Sequence, residues 1–436
     1  MDNETNLVQI GLIKQLKDRL FSNDFLARHR QDVKDFTRKR CLTFVITVMF
    51  LLNLLKRSLQ DELDEFFKVQ NGTDLAVRIV TKSAFTQARK KLKYEAFIEL
   101  NQVQTAYFYQ FLEPQRWYGW RLVAVDGSTV QLPNTQEVLD HFGAWQPAKG
   151  AACPMARVSQ MFDVLNHITL DAAITQKSQG ERYLAATHFA FLCPDDLVLL
   201  DRGYPAFWLF ALILDKKAHF CARMKLSGWT VVRNFVASGL NEQIVKVQPT
   251  YAARQECCAR KLSSQPLTIR LIRIELEDGE VEVLATSLLD SQAYPVSLFK
   301  ELYHLRWPVE EQYKVMKCRI EIENFSGISV LAVYQDFHAK VFTANLTAIL
   351  TRPAQESVNH DNANKNYAYQ INMTHALSKM KDTVVLLFQR DNILSLLQAL
   401  WQLMIKTIEP IRPGRSYPRV KRVKPKRFPI CYKPTR

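Results

Sequence analysis

Two short apolar runs in this 436-residue chain each lead into an aspartate. Arg121-Leu-Val-Ala-Val precedes Asp126 and Gly127, and Leu197-Val-Leu-Leu precedes Asp201, with Gly203 close behind. Each reads as a buried strand that turns at its carboxylate. A single aspartate in that setting is more often a turn or cap residue than a ligand. Two in matching settings suggest carboxylates carried to adjacent strand ends, converging at one edge of a sheet. Hard divalent cations take oxygen donors, and Mg²⁺ commonly takes one or two carboxylates with substrate phosphate and water. Two such ions, about 3.5–4 Å apart, stabilise both the attacking and the leaving oxygen of an in-line phosphoryl displacement.

A third acid would complete that donor set. Glu301, Glu310, Glu311, Glu321 and Glu323 all lie in the downstream helical stretch. Within it, Tyr303, Arg306, Glu310 and Lys317 are spaced by three, four and seven. At about 100° per residue they share roughly 60° of arc on an uninterrupted helix. Such a stripe offers a carboxylate for metal beside an Arg and a Lys for phosphate. An ordinary amphipathic helix with charge pairs accounts for the spacing equally well. Pro308 breaks or kinks any helix through this stretch; two helices meeting at Trp307-Pro308 would keep the Tyr303–Arg306 and Glu310–Lys317 pairs.

These residues need an α/β frame. Residues 1–115 read as helical, with a basic cluster (Arg89, Lys90, Lys91, Lys93) after Ser83 that suits either phosphate or solvent. From Arg121 the pattern becomes strand, then a hairpin (Val158–Phe162 and His167–Ile174), helix (Arg182–Leu192), strand (Leu197–Asp201) and helix (Pro205–Leu214), a layout with a mixed sheet. Strand signals dominate 218–290: Phe220–Met224, Trp229–Arg233, Ile244–Val247, Thr268–Ile274 and Val281–Thr286, with Asp278-Gly279 as a hairpin turn. Helices resume at 296–352 and 375–408, separated by a linker from Thr351 to Asn366. The expected division is a helical DNA-binding region (1–115), two parts of an α/β core (116–217 and 291–355), a β-rich insertion (218–290), and C-terminal helices with a basic tail (356–436).

Lys and Arg outnumber Asp and Glu by 58 to 43, a formal charge of +15, which points to a polyanionic partner, nucleic acid first. The segment Ile411–Arg436 holds ten Lys or Arg, five Pro and no acid, and reads as a basic arm. The eight cysteines form no C-x-x-C pair and the nine histidines no H-x-x-x-H, which argues against zinc and for reduced thiols in a cytoplasmic protein. The apolar run Leu42–Leu55 is too short to span a bilayer, which takes about 20 residues, so it is expected to be a buried helix.

The spacing Tyr-(2)-Arg-(3)-Glu-(6)-Lys, met by Tyr303, Arg306, Glu310 and Lys317, resembles the signature of the DDE insertion-sequence transposases of the IS-four group. Val123-Ala-Val-Asp126-Gly-Ser-Thr and Leu200-Asp201-Arg-Gly-Tyr204 are similar to that family's first two blocks. Glu323-Asn-Phe-Ser-Gly327 with Gln335-Asp-Phe, and the C-terminal Arg412-Pro-Gly-Arg-Ser-Tyr-Pro-Arg, resemble its later ones. The likeness covers residues from about 80 to the C-terminus.

The resemblance implies a ribonuclease-H-like core with a β-strand insertion between the second Asp and the Glu. It implies that Asp126, Asp201 and Glu310 hold two Mg²⁺ ions, with Mn²⁺ as a substitute, and that Tyr303, Arg306 and Lys317 contact the DNA backbone near a transposon end. The chemistry expected is cleavage at terminal inverted repeats and 3′-hydroxyl transfer into target DNA, by a dimer in the synaptic complex, in the bacterial cytoplasm at the nucleoid. The alternatives are a ribonuclease-H-like nuclease that does not join strands and a non-catalytic DNA-binding descendant. Some relatives carry an insertion tryptophan that stacks on a flipped base; residues 230–306 contain none, so base flipping is not carried over.

Overall fold

Apolar strands that pair along both edges must be covered on both faces, and that requirement shapes the unit holding the aspartates. The computed structural model describes residues 3–146, 152–276, 279–412 and 433. The chain forms two compact units, one of Pro114–Thr129 and Arg157–Tyr313, the other of Met1–Glu113, Val130–Ala156 and Lys314–Arg436.

The strands are β1 (Arg121–Gln131), β2 (Ala144–Trp145), β3 (Cys153–Asp163), β4 (Ile168–Gln176), β5 (Asp196–Leu200), β6 (His219–Met224), β7 (Glu242–Val247), β8 (Leu267–Glu275) and β9 (Val281–Thr286). They join in the order β2-β3-β1-β5-β6-β9-β8-β7, with β4 paired to β3. β5 is parallel to β1 and β6 is parallel to β5. β3 runs against β1: Val164 N–H donates to Leu122 O (3.1 Å), while Ser159 Oγ lies 3.4 Å from Asp126 O. The order β4-β3-β1-β5-β6, with the last two strands parallel to β1, is that of a ribonuclease-H-like core. The inserted strands β7, β8 and β9 extend the same sheet antiparallel from β6.

Alternation along the strands sorts the two faces. Leu122, Ala124, Leu197, Leu199 and Cys221 pack with Phe299, Leu302 and Val309 in one buried cluster. The opposite face is covered in part by helix Phe207–Asp215, where Phe210 stacks on Phe220 at 4.0 Å. Leu122–Val125 and Leu197–Leu200 are wholly buried, each side chain larger than alanine contributing about 1.5–3 kcal/mol. At the start of the parallel pair Arg121 sits directly beside Asp196, donating from Nε (2.5 Å) and Nη2 (2.7 Å). A slip by one residue would break this pair and turn every side chain to the wrong face.

In the other unit, the long helix Val330–Asp361 packs against helices Phe44–Leu52, Glu95–Phe111, Met373–Gln389 and Leu394–Ile405. The apolar run expected to be a buried helix is one, at Phe44–Leu52.

Four expectations need correction. Strand β1 does not turn at Asp126 but runs on to Gln131, because its antiparallel partner β3 is as long as it is. Trp229–Arg233 is not a strand; Thr230–Ser238 is a helix whose Val232 and Phe235 face inward at three-residue spacing, stopped by Gly239 at φ 69°. The linker does not begin at Thr351, since the helix continues through Pro353 to Asp361 with Thr351, Pro353, Ala354 and Val358 buried. Arg89 is no surface cation: it is 4% exposed and donates to Gln335 Oε1 (2.9 Å), Ser326 Oγ (3.0 Å) and Asp336 Oδ1 (2.9 Å). Asp278 and most of the basic arm, residues 413–432 and 434–436, lie outside the described residues.

Candidate active site

Strand register places the first two acids. Residues 121–124 of β1 lie beside residues 196–199 of β5, a constant offset that, carried two residues further, sets Asp126 level with Asp201. The next pairing, 197–200 of β5 beside 219–222 of β6, carried on likewise, sets Arg223 level with Asp201. Neighbouring strands lie about 4.8 Å apart, so Asp126, Asp201 and Arg223 form a row across three strands. All three are two residues beyond members of the buried cluster (Ala124, Leu199, Cys221) and so project from that same face.

The third acid comes from the helices over this face. The stretch is two helices meeting at Pro308, Ser297–His304 and Pro308–Lys314, with Pro308 at the first position of the second, where its missing N–H costs nothing. Tyr303 lies in the last turn of the first helix, Arg306 in the turn between them, and Glu310 in the first turn of the second. Arg306 Nη2 donates to Glu310 Oε1 at 2.7 Å, and its guanidinium lies 5.6 Å from the Tyr303 ring centre. Tyr303 Oη donates to Asp201 Oδ1 at 3.2 Å. Arg223 holds Asp201 at 2.9 Å and also pairs with Glu282. Tyr313 Oη donates to the main-chain oxygen of Asp126 at 2.8 Å, tying the second helix to β1.

The carboxylates feel one another. Burial lifts the Asp126 carboxyl to about 6, with the Glu310 and Asp201 charges adding to the rise and the Gly127 N–H and Arg306 opposing it. Burial also pushes Asp201 up, but the Arg202 main-chain N–H and the Arg223 and Arg306 charges outweigh it and hold Asp201 below its ordinary value. Neighbouring acids whose environments push them apart are typical of sites that do chemistry. Burial raises the Tyr303 phenol, so it stays a protonated donor.

Three half-buried carboxylates around one cluster of cations supply the all-oxygen donors a hard divalent ion takes. Asp126, whose carboxyl burial lifts, would be favoured in its charged form by such an ion. Arg306 and Arg223 hold two of the acids, and among the described residues no group of three or more acid, His or Cys side chains is arranged to hold a metal ion as it stands. A third constellation lies behind Asp126: His188 bridges Asp171 (2.7 Å) and Ser159 (2.9 Å). Ser159 is 1% exposed and His188 wholly buried, so this pair braces β3 from within.

The geometry thus gathers Asp126, Asp201, Glu310, Tyr303 and Arg306 within one unit. Lys317 falls on the π turn Val315–Arg319 of the other unit. Arg223 was missed by sequence reasoning. Its only signal is a place in an apolar strand at the same distance past Cys221 as Asp201 is past Leu199, legible only once the register is known.

Comparison with known proteins identifies the family. Residues 117–346, more than half of the chain, match the family model described as Transposase DDE domain. Over 243 residues the chain is 26% identical to Transposase InsG for insertion sequence element IS4 of Escherichia coli (strain K12), covering 55% of this chain and 53% of that one. Over 134 residues it is 26% identical to Putative transposase InsZ of the same organism, covering 30% and 44%. The chain therefore spans about half the length of the curated relatives it matches. Among solved structures it is similar to a piggyBac transposase synaptic complex with hairpin DNA, at 10% identity and a TM-score of 0.46 over 93% of this chain and 87% of that one. No helix among the described residues is long and apolar enough to cross a membrane.

Proposed function

The chain belongs to the transposase DDE-domain family, and we propose that it is the transposase of an insertion sequence, cutting at the element's ends and joining them to target DNA. The observation that carries this reading is the row of Asp126 and Asp201 at matched strand positions, with Glu310 held over them through Arg306. In this reading Asp126, Asp201 and Glu310 are the catalytic and metal-holding acids, for two Mg²⁺ with Mn²⁺ as a substitute. Bound there, a divalent pair supplies an activated water and steadies the leaving oxygen of an in-line displacement.

The chain's own groups do the rest. Arg306 and Arg223 place positive charge where the phosphate's negative charge grows, in a half-buried site where it counts for more than in water. Tyr303 keeps its proton and donates a hydrogen bond, positioning Asp201. Lys317, the last residue of the spacing signature, adds a backbone phosphate contact. The first displacement hydrolyses the phosphodiester at the element's end and frees a 3′-hydroxyl; in the second that hydroxyl displaces a bridging oxygen in target DNA. The N-terminal helices (1–115) and the basic arm hold the terminal inverted repeats, and two copies bring paired ends together. The protein acts in the bacterial cytoplasm at the nucleoid.

The test uses linear duplexes bearing the repeats that flank the gene, with Mg²⁺ or Mn²⁺. Cleavage at the repeat ends and joining to a second DNA, both abolished by Asp201→Ala, are the expected results. Hydrolysis of any duplex or hybrid without joining would make the protein a nuclease, and binding with no cleavage under either metal would remove the catalytic reading.

A further inference from the structure

Between helices Leu59–Asn71 and Lys82–Arg89 the chain leaves regular structure, and both ends of the intervening segment are fastened. Gly72, at φ 62°, closes the first helix, and Thr73 N–H donates back to Lys68 O at 3.2 Å. At the far end Gln60 grips the chain as a fork, donating to Val80 O (2.9 Å) and accepting from Lys82 N (2.8 Å). Thr81 then caps the next helix through Ala84 N.

Between these anchors the chain is open to solvent, with Thr73 Oγ1 donating to Leu75 O at 3.1 Å. Residues 73–79 are all exposed, and Leu75, Val77 and Ile79 are 76%, 62% and 42% exposed. Among the described residues no main-chain N–H from Asp74 to Val80 donates to a protein acceptor. Alternating apolar side chains with unpaired main-chain donors have the character of an open strand edge, which a second strand readily covers.

The sequence of the segment says which strand. Drawn straight, Thr73, Leu75, Val77 and Ile79 fall on one face, and Asp74, Ala76 and Arg78 on the other. Antiparallel pairing about a two-fold axis at Ala76 sets Asp74 opposite Arg78 of the partner subunit, and Leu75 opposite Val77 of the partner subunit. Two opposite-charge pairs and a continuous apolar face result, and a shift of one residue either way loses both charge pairs. Nucleic acid suits this place poorly. The helix leading into it carries Asp61, Asp64 and Glu65 outside its core against a single Lys68, and Arg78 already leans on Asp64 at 3.7 Å.

We propose that residues 73–79 pair antiparallel with the same residues of a second copy of this chain, giving a dimer contact that forms without DNA. It does not depend on the reading of the carboxylates, because the protein alone displays it. A two-fold contact repeats each substitution twice. Asp74→Arg therefore places like charges opposite each other in both pairs and weakens self-association by about tenfold or more.

Sedimentation of the full chain without DNA tests the contact. The expected result is a concentration-dependent dimer, weakened by Asp74→Arg and by Val77→Asp. Directly opposed residues of an antiparallel pair have Cα atoms about 4.5–5.5 Å apart, within disulfide reach. Ala76→Cys should therefore oxidise to a covalent dimer under conditions where the parent chain, with its own cysteines, does not. A parent chain that stays monomeric at every concentration overturns the proposal, as does a dimer that Asp74→Arg, Val77→Asp and the Ala76→Cys cross-link all fail to register. Val77→Asp weakening DNA binding while leaving self-association intact would overturn it in favour of a nucleic-acid contact.

Discussion

Replacing Arg121 by Met should destabilise the unit that holds the carboxylates by about 3–5 kcal/mol, the cost of leaving one partner of a buried pair uncompensated. Asp196 is wholly buried and receives two hydrogen bonds from Arg121, at 2.5 and 2.7 Å. The Cys193 main-chain N–H also donates to it, at 2.7 Å. Burial already holds this carboxyl above its ordinary value despite the Arg121 charge. Without the guanidinium the acid must ionise unpaired or take up a proton. Replacing both partners, Arg121→Met with Asp196→Leu, removes the charge and its counter-charge together, and most of the loss should return. The apolar stretches Leu122–Val125 and Leu197–Leu200 remain to set the register in that double variant, so its DNA cleavage should stay within about tenfold of the parent. Urea unfolding of the parent, both single variants and the double closes the cycle. A single Arg121→Met variant within about 1 kcal/mol of the parent would refute the reasoning.

Further consequences follow from the same structure. A methyl group on Gly327 would lie 2.8 Å from Arg89 Nη1 and 2.7 Å from Ala332 Cβ, so Gly327→Ala should lower the unfolding midpoint, whereas Gly203→Ala, with open space around it, should not on steric grounds. Burial pushes the Glu62 carboxyl up, but the Lys381 charge and bond, with the Arg57 and Lys56 main-chain N–H groups, outweigh this and hold it below 4.5. A carboxyl depressed in the folded state stabilises above its unfolded value, and that stability is lost as pH falls through the folded value. The stability gap between the parent and Glu62→Gln should therefore shrink as pH drops below about 4.5, and a gap unchanged down to acid unfolding would contradict it. Arg306→Lys keeps the charge but loses the planar fork that meets Glu310 and faces Asp126 and Asp201; cleavage should fall by about 10²–10³-fold with much weaker effects on DNA affinity, measured by single-turnover rates beside binding.

The sequence made parts of this architecture legible because strong local patterns survive without context. Leu197–Leu200 is short, apolar and followed by an acid and a glycine, and it is a buried strand ending just before Asp201. Pro308 announced the break between two helices. What escaped depends on partners distant in sequence. Asp126 sits within its strand because β3, 11 residues long, keeps pairing beyond the turn that Gly127 suggested. The β-branched run at Trp229 looks like a strand over five residues, and only the reach to Phe235 reveals its helical spacing. Arg89 was one of four clustered cations, and its burial follows from Gln335 and Asp336, more than 240 residues away. Arg223 joins the site by register alone.

The measurement that tests the central claim most directly is the single-turnover rate of DNA-end cleavage for Asp126→Asn, Asp201→Asn and Glu310→Gln, with Glu311→Gln as the neighbouring control. Acids that act as one unit lose nearly everything singly, so each of the three should fall by about 10³-fold or more, and the Asp126→Asn, Asp201→Asn double should be little slower than either single. Glu311→Gln should remain within about tenfold of the parent, since Glu310 is the acid that Arg306 holds over the row. Cleavage that survives substitution of any one of the three, or that depends on Glu311 in place of Glu310, would contradict the account.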